Sequence, residues 1–212
     1  MQIVKNSSWQ GGSLIPEEYR EASSGIASAV RKGGINLQNI LIKDMSRILN
    51  AYPGWDVING SDLGKNPNLL KQVGNHYNDK IHIPDIDSVL VNPNGKVVLV
   101  ISSKGSIQDD KLYASIMHHD YFEKRGIQFW VVTKDTNCTF KTGDSKYYAF
   151  LPPTIKIFIN NETTYNECIQ HDFSKWSFNS IVIPYPEIFV HFVELINNSK
   201  ESIQNKFFNF EK

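Results

Sequence analysis

Cysteine is almost missing from this 212-residue chain: only Cys138 and Cys168 occur, without the paired spacing of a metal site. That scarcity excludes a disulfide framework, and reduced thiols in an intracellular protein are expected. Long apolar runs are missing too. The opening "MQIVKNSSWQ" lacks the apolar stretch of a signal peptide, and no segment approaches the length of a membrane span. A soluble cytoplasmic protein is the expectation, so the triplet Asn137-Cys138-Thr139 has no secretory context in which to act as a glycosylation acceptor. Charge of either sign in excess is also absent. Lys plus Arg and Asp plus Glu each number 22, which argues against bulk attraction to nucleic acid or anionic membrane but leaves room for a locally basic cleft. There is no internal repeat and no low-complexity segment. "GSDLGKNPN" lacks phosphate-loop spacing, and neither a zinc motif nor a nucleophile elbow occurs, so no nucleotide cofactor is expected.

What is present reads as one α/β domain over residues 1–212: N-terminal helices over 1–50, a core over 80–135, and further strands with a C-terminal helix over 136–212. The apolar content of 41% and the length suffice for a substantial core. "LIPEEYREASSGIASAVRKGG" begins with Pro16 at a first-turn position and ends on Gly33-Gly34, the signature of a helix. A second helix is expected from Asn36, as N-cap, to about Leu49, with Leu37, Leu41, Met45 and Ile48 as its apolar stripe. "AYPGWDVINGSDLGKNPN" reads as loop from its Pro, Gly and Asn content. After a hairpin within residues 83 to 106, "SIQDDKLYASIMHHDYFEKRG" reads as a helix. Its capping pair is Ser106 and Asp109, its apolar face Tyr113, Ile116, Met117 and Tyr121, and its stop Gly126. "IQFWVVT" then reads as a strand parallel to the one before the helix. "KYYAF", "TIKIFIN" and "SIVIPY" read as short strands, and "PEIFVHFVELINNS" as a helix starting at Pro186. His118-His119-Asp120 is expected on a polar helix face, because adjacent histidines diverge by about 100°. Trp9, Trp55, Trp130 and Trp176 are expected in the core or at partner contacts. The architecture expected is α/β with a mixed central sheet flanked by helices.

The hairpin "IPDIDSVLVNPNGKVVLVISSKGS" carries polar residues where buried strands begin and end. Its turn lies at Asn92-Pro93-Asn94-Gly95. A four-residue loop sets Asp85 opposite Ser102. A two-residue turn at Asn94-Gly95 sets Asp85 opposite Lys104 and Asp87 opposite Ser102. Opposed and alternate residues share a face, so either register gathers Asp85, Asp87, Ser102 and Lys104. A three-residue loop would separate them, since a slip of one residue flips the face. Carboxylates beside a lysine suit phosphodiester hydrolysis. Mg²⁺ takes hard oxygen ligands, one or two carboxylates and a backbone carbonyl sufficing, and makes a bound water more nucleophilic.

"PD", then "SxK" about seventeen residues later on the next apolar strand, resembles the PD-(D/E)XK nuclease core. More narrowly it resembles type II restriction endonucleases in which a small residue replaces the second acidic one. "SSKGSIQDD" keeps Ser106 and Ile107 of the continuation usual in that group, with Gln108 at the customary arginine and Asp109 at the acidic place. The resemblance spans residues 82 to 133.

The resemblance implies a restriction-endonuclease-like core and Mg²⁺-dependent, sequence-specific cleavage of double-stranded DNA leaving 5′-phosphate ends, in the cytoplasm of a bacterium. It implies Asp85 as metal ligand, Lys104 as the lysine positioning the attacking water, and Ser102 at the usual acidic position. Metal-binding positions are Asp85, Ser103 and Asp109. The missing carboxylate comes from Asp109, or from Glu17 or Glu21 of the first helix. A palindromic target implies a homodimer. Lys111, Lys124 and Arg125 are candidate phosphate contacts. Two other readings stand beside this one: a structure-selective repair or recombination nuclease of the same superfamily, and a non-catalytic DNA-binding module on a decayed nuclease fold.

Overall fold

The computed structural model describes residues 36–77, 80–82, 86–105, 107, 109–134, 150–160 and 182–208, the side chains of 75–77, 80–82, 109 and 200–208 excepted. Helix α1 runs over 36–49. Asn36, expected as the cap, already lies within it. Leu37, Leu41 and Met45 are fully buried at the spacing of one helical face. Leu49 is buried where Ile48 was expected, Ile48 being only half-buried.

The segment expected to be loop is ordered, and that expectation is corrected. Strand β1 (Asp56–Asn59), a 3-10 turn (Gly60–Lys65) and α2 (Pro67–Val73) follow one another. Asn59 and Asn66 are the caps: the Asn59 side chain accepts from Ser61 N–H, and that of Asn66 from Leu69 N–H. Pro67 stands in the first turn, where its missing N–H costs nothing. Each element is too short to show a period, but Val57, Leu63, Leu69 and Val73 are all buried.

A small antiparallel pair, β2 (Asn75–Tyr77) and β3 (Lys80–His82), precedes the main sheet. That sheet contains β1, β4 (Ser88–Val91), β5 (Val97–Lys104), β6 (Gln128–Thr133), β7 (Lys156–Ile159) and β8 (Val182–Pro184), in the spatial order β1-β4-β5-β6-β7-β8. β1, β4 and β5 are antiparallel neighbours, and β5 through β8 run parallel. Helix α3 (Asp109–Glu123) carries the chain from the end of β5 to the start of β6, the expected strand–helix–strand unit with parallel pairing. A 3-10 turn (Tyr185–Glu187), which contains Pro186, leads into the C-terminal helix α4 (Ile188–Phe208). The fold is therefore α/β, with a mixed six-stranded sheet between helices.

Side chains alternate between two cores. On one face Val89, Val100, Val131 and Ile157 pack under α2 and α3; on the other Leu90, Leu99, Trp130 and Phe158 pack under α1 and α4. β5 and β6 are buried on both faces, so they read as continuous apolar runs.

Helix α3 corrects a second expectation. Its inward face is Leu112, Ser115, His119 and Phe122, all 4% exposed or less, whereas Tyr113 and Met117 are each 49% exposed. The stripe is turned by one residue, about 100°, because two of the four buried positions are polar. His119 therefore does not sit on a polar face. The helix ends as a Schellman motif: Ile127 N–H donates to Phe122 O (3.0 Å) and Gly126 N–H to Glu123 O (2.9 Å), with Gly126 at φ +66°. The expected helix over 16–32, the Ser106 cap, "KYYAF" before Phe150, and Cys138, Cys168, Trp9 and Trp176 lie outside the described residues. Trp55 and Trp130 are in the core, as expected.

Candidate functional site

Everything at this site depends on the register of β4 against β5. Asn92 N–H donates to Lys96 O and Gly95 N–H to Asn92 O (2.9 Å each), while the Asn92 side chain accepts from Asn94 and Lys96 N–H. Gly95 supplies the positive φ, +73°, that closes such a loop. Three residues, 93 to 95, thus connect the strands, neither of the two lengths expected. Val91 pairs with Val97 accordingly. Unbroken pairing from there would oppose Asp87 to Ile101 and turn Ser102 and Lys104 to the other face.

A β-bulge prevents this. Leu90 pairs with Leu99 instead of Val98, and the ladder continues Val89↔Val100 and Ser88↔Ile101. Val98 is the extra residue. The bulge restores the register in which Asp87 falls beside Ser102. Gln72 of α2 holds this end of the hairpin, donating to Gly95 O (2.9 Å) and accepting from Val97 N–H (2.8 Å).

Regular pairing ends at Ser88, and Asp87 is tied down through its N–H, its carbonyl and one carboxylate oxygen. Its N–H donates to Ile101 O (3.0 Å). Its carbonyl accepts from Gly60 N–H (2.7 Å) and from Gln38 Nε2 of α1 (2.5 Å). Its carboxylate accepts through Oδ2 from Ser103 N–H (2.5 Å), with the Ser102 hydroxyl at 3.5 Å. Gln38 also donates to Asn59 Oδ1 (3.2 Å). Glycine is required at position 60: a Cβ there would lie 1.9 Å from Ile86 O. Ser102 is buried and Lys104 half-buried, two residues apart on β5 and hence on one face. The cluster stands where β1 and the parallel strands end, the end of an open α/β sheet at which ligands ordinarily bind.

The structure therefore brings Asp87 against Ser102, with Lys104 two residues further along β5 on the same face. Asp85, Glu17, Glu21 and the side chain of Asp109 lie outside the described residues. Ser103 presents its N–H, a donor, to the carboxylate, and its own hydroxyl is buried without a partner among the described residues. Gln38, Asn59 and Gly60 were missed by sequence reasoning, because a helix and a strand end remote in sequence reach Asp87 only through the fold. Lys124 and Arg125, at the end of α3, lie toward the start of β6 and away from Lys104. Lys124 is paired with Asp120 (2.7 Å), and Arg125 lies over the Tyr121 ring (3.6 Å); neither is placed to touch a phosphate at Lys104.

The donors here, a carboxylate and a hydroxyl, are hard oxygens and fit Mg²⁺ in kind. Among the described residues no group of three or more His, Cys, Asp or Glu could hold a metal ion, so a second carboxylate would have to come from Asp85 or Asp109. No described helix is long and apolar enough to cross a membrane. Comparison with known family models, with curated proteins and with solved structures returned no match to this chain.

Proposed function

We propose that the chain is a type II restriction endonuclease that hydrolyses phosphodiester bonds of double-stranded DNA at a short defined sequence. The observation that carries this reading is the meeting of Asp87, Ser102 and Lys104 at one end of a mixed sheet. They lie on a strand–turn–strand–helix–strand unit, Ser102 and Lys104 being positions the resemblance names and Asp87 standing two residues after Asp85, the ligand it names.

In this reading Asp85, with Asp109 and the neighbouring Asp87, would hold Mg²⁺, which would supply charge neutralisation at the scissile phosphate and a more acidic water. The Lys104 ammonium would position the attacking water and hold a phosphate oxygen. Ser102 and the Ser103 N–H fix the rotamer of the Asp87 carboxylate, while Gln38 and Gly60 fix its backbone. Attack of water on phosphorus breaks the bond to the 3′-oxygen, leaving a 5′-phosphate and a 3′-hydroxyl. A palindromic target would call for a homodimer.

The test is incubation of the full chain with unmethylated phage DNA, with and without Mg²⁺. Discrete Mg²⁺-dependent bands are expected, lost by at least about 100-fold in Lys104→Ala, the scale of a positioned catalytic side chain. A smear would move the reading to a structure-selective nuclease. Intact DNA with Mg²⁺ and Mn²⁺, across several phage genomes, would favour a non-catalytic DNA-binding module. The internal hydrogen bonds that already engage Asp87 Oδ2 give that rival its physical basis.

A further inference from the structure

The end of the sheet where β6 and β7 begin opens into a cleft of about 460 Å³, a volume that suits a small molecule. Gln128, Trp130 and Lys156 are among the residues that line it. These three share one face of the sheet: Gln128 and Trp130 alternate along β6, and Trp130 pairs with Lys156 of β7. Helix α4 packs on that face through Ile188 and Phe192 and brings His191 Nδ1 to 2.9 Å from Lys156 Nζ. Trp130 Nε1 donates to Gln128 Oε1 (3.1 Å), which fixes the indole, and Lys156 Nζ lies 5.9 Å from its ring centroid.

The protons of this cluster can be assigned. An ammonium only donates, so His191 Nδ1 accepts from Lys156, and the ring is the neutral tautomer with its hydrogen on Nε2. Glu194 Oε2 lies 3.2 Å from the same Nδ1. Two acceptors share no hydrogen while Nδ1 is bare. Once Nδ1 takes up a proton, the contact becomes a charge-assisted hydrogen bond from imidazolium to carboxylate. The half-buried ammonium of Lys156 thus touches a base, and that base has a carboxylate placed to hold its charged form. Burial also holds the Lys156 amine below its usual pKa, outweighing the raising influence of Glu194. Desolvation of this kind favours the neutral, nucleophilic form of a lysine.

We infer that Lys156 is a reactive amine and that the cleft takes a small aldehyde with an apolar body, bound as an imine on Nζ. Lys156 passes one proton to His191 Nδ1 and becomes the free amine, whose lone pair attacks the carbonyl carbon. The carbonyl oxygen leaves as water with the two remaining N–H hydrogens, and a C=N bond joins Nζ to that carbon. An aldehyde carbon, with a single substituent, is the least hindered carbonyl for a half-buried amine, and the Trp130 indole offers its body an apolar surface. The site is separate from the Asp87–Lys104 cluster and does not depend on its activity.

The test is incubation of the full chain with benzaldehyde and sodium cyanoborohydride near neutral pH, followed by digestion and mass mapping of the benzylated lysines. Lys156 is expected to react at least about tenfold faster than the exposed Lys71 and Lys96, the gain in free amine that one pKa unit brings. The preference should vanish in urea. His191→Gln keeps an acceptor beside Nζ but not a base, and should slow Lys156 by at least about tenfold, below the usual range of general-base assistance. Glu194→Gln, at a side chain 60% exposed and so no threat to folding, should slow Lys156 in the same direction and leave Lys71 and Lys96 unchanged. Reaction at Lys156 no faster than at Lys71 and Lys96 would overturn the inference. So would a preference for Lys156 that neither variant reduces.

Discussion

At the scale of single residues, the molecule places polar groups where burial makes each of them consequential. Gly60 is there because Ile86 O passes where a side chain would begin. Gly60→Ala is expected to cost about 1–3 kcal/mol, the usual penalty for forcing atoms into a packed site, read from urea denaturation. It should also displace Asp87, whose carbonyl accepts from Gly60 N–H. His119 gives a pH dependence with a definite sign. Its imidazole is held below its usual range by burial, which outweighs the raising influence of Glu123, Thr154 and Asp120. The unfolded chain therefore takes up the proton first, at about pH 6.5, and stability falls as pH drops from there towards the folded value. His119→Gln should flatten this acid-side loss, which thermal melts at about pH 7.5 and pH 5 would reveal; an unchanged pH slope would refute the assignment.

At the scale of elements, the β5 bulge separates pairing from spacing. Deleting Val98 should leave Leu99 opposite Leu90 and every later residue on its present face, since the extra residue is the one removed. Any cleavage activity should then stay within about tenfold of the parent, the cost of a modest displacement. Deleting Val100 instead would shift Ser102 and Lys104 by one position and turn them to the α1 face, so activity should vanish. A gel assay of both deletions, with circular dichroism for folding, distinguishes a site set by register from one set merely by local sequence. Both deletions behaving alike would count against the site.

The described residues build one six-stranded sheet with a core on each face, a small β2–β3 pair beside it, and polar clusters at both ends of the main sheet. The two ends differ in kind: one gathers a carboxylate, a hydroxyl and a lysine around the end of β5, and at the other Thr154 bridges His119 and Glu123. For a nuclease acting on a palindrome, sedimentation on target DNA should show twice the 24.2 kDa chain mass per duplex. A single chain per duplex would point to a monomeric or structure-selective mode.

Much of this architecture was legible in the residues themselves. The stripe of α1, the apolar runs of β5 and β6, and Gly126 as the stop of α3 are local signals, carried by periodicity and backbone freedom. They determined the α/β class and the parallel strand–helix–strand unit. Strand β1 and helix α2 escaped because a strand of four residues and a helix of seven complete too little of a period, and their order comes from pairing and burial. The face of α3 escaped because Ser115 and His119 occupy buried positions that polarity alone assigns to solvent. Polar residues at the hairpin ends marked out the candidate site, yet the sequence could not choose among loop lengths. Only the fold decided that, through a bulge at Val98 and through Gln38 and Gly60 reaching Asp87 across α1 and β1. Pairing register is a non-local quantity: hydrogen bonds between strands set it, and no residue carries it alone.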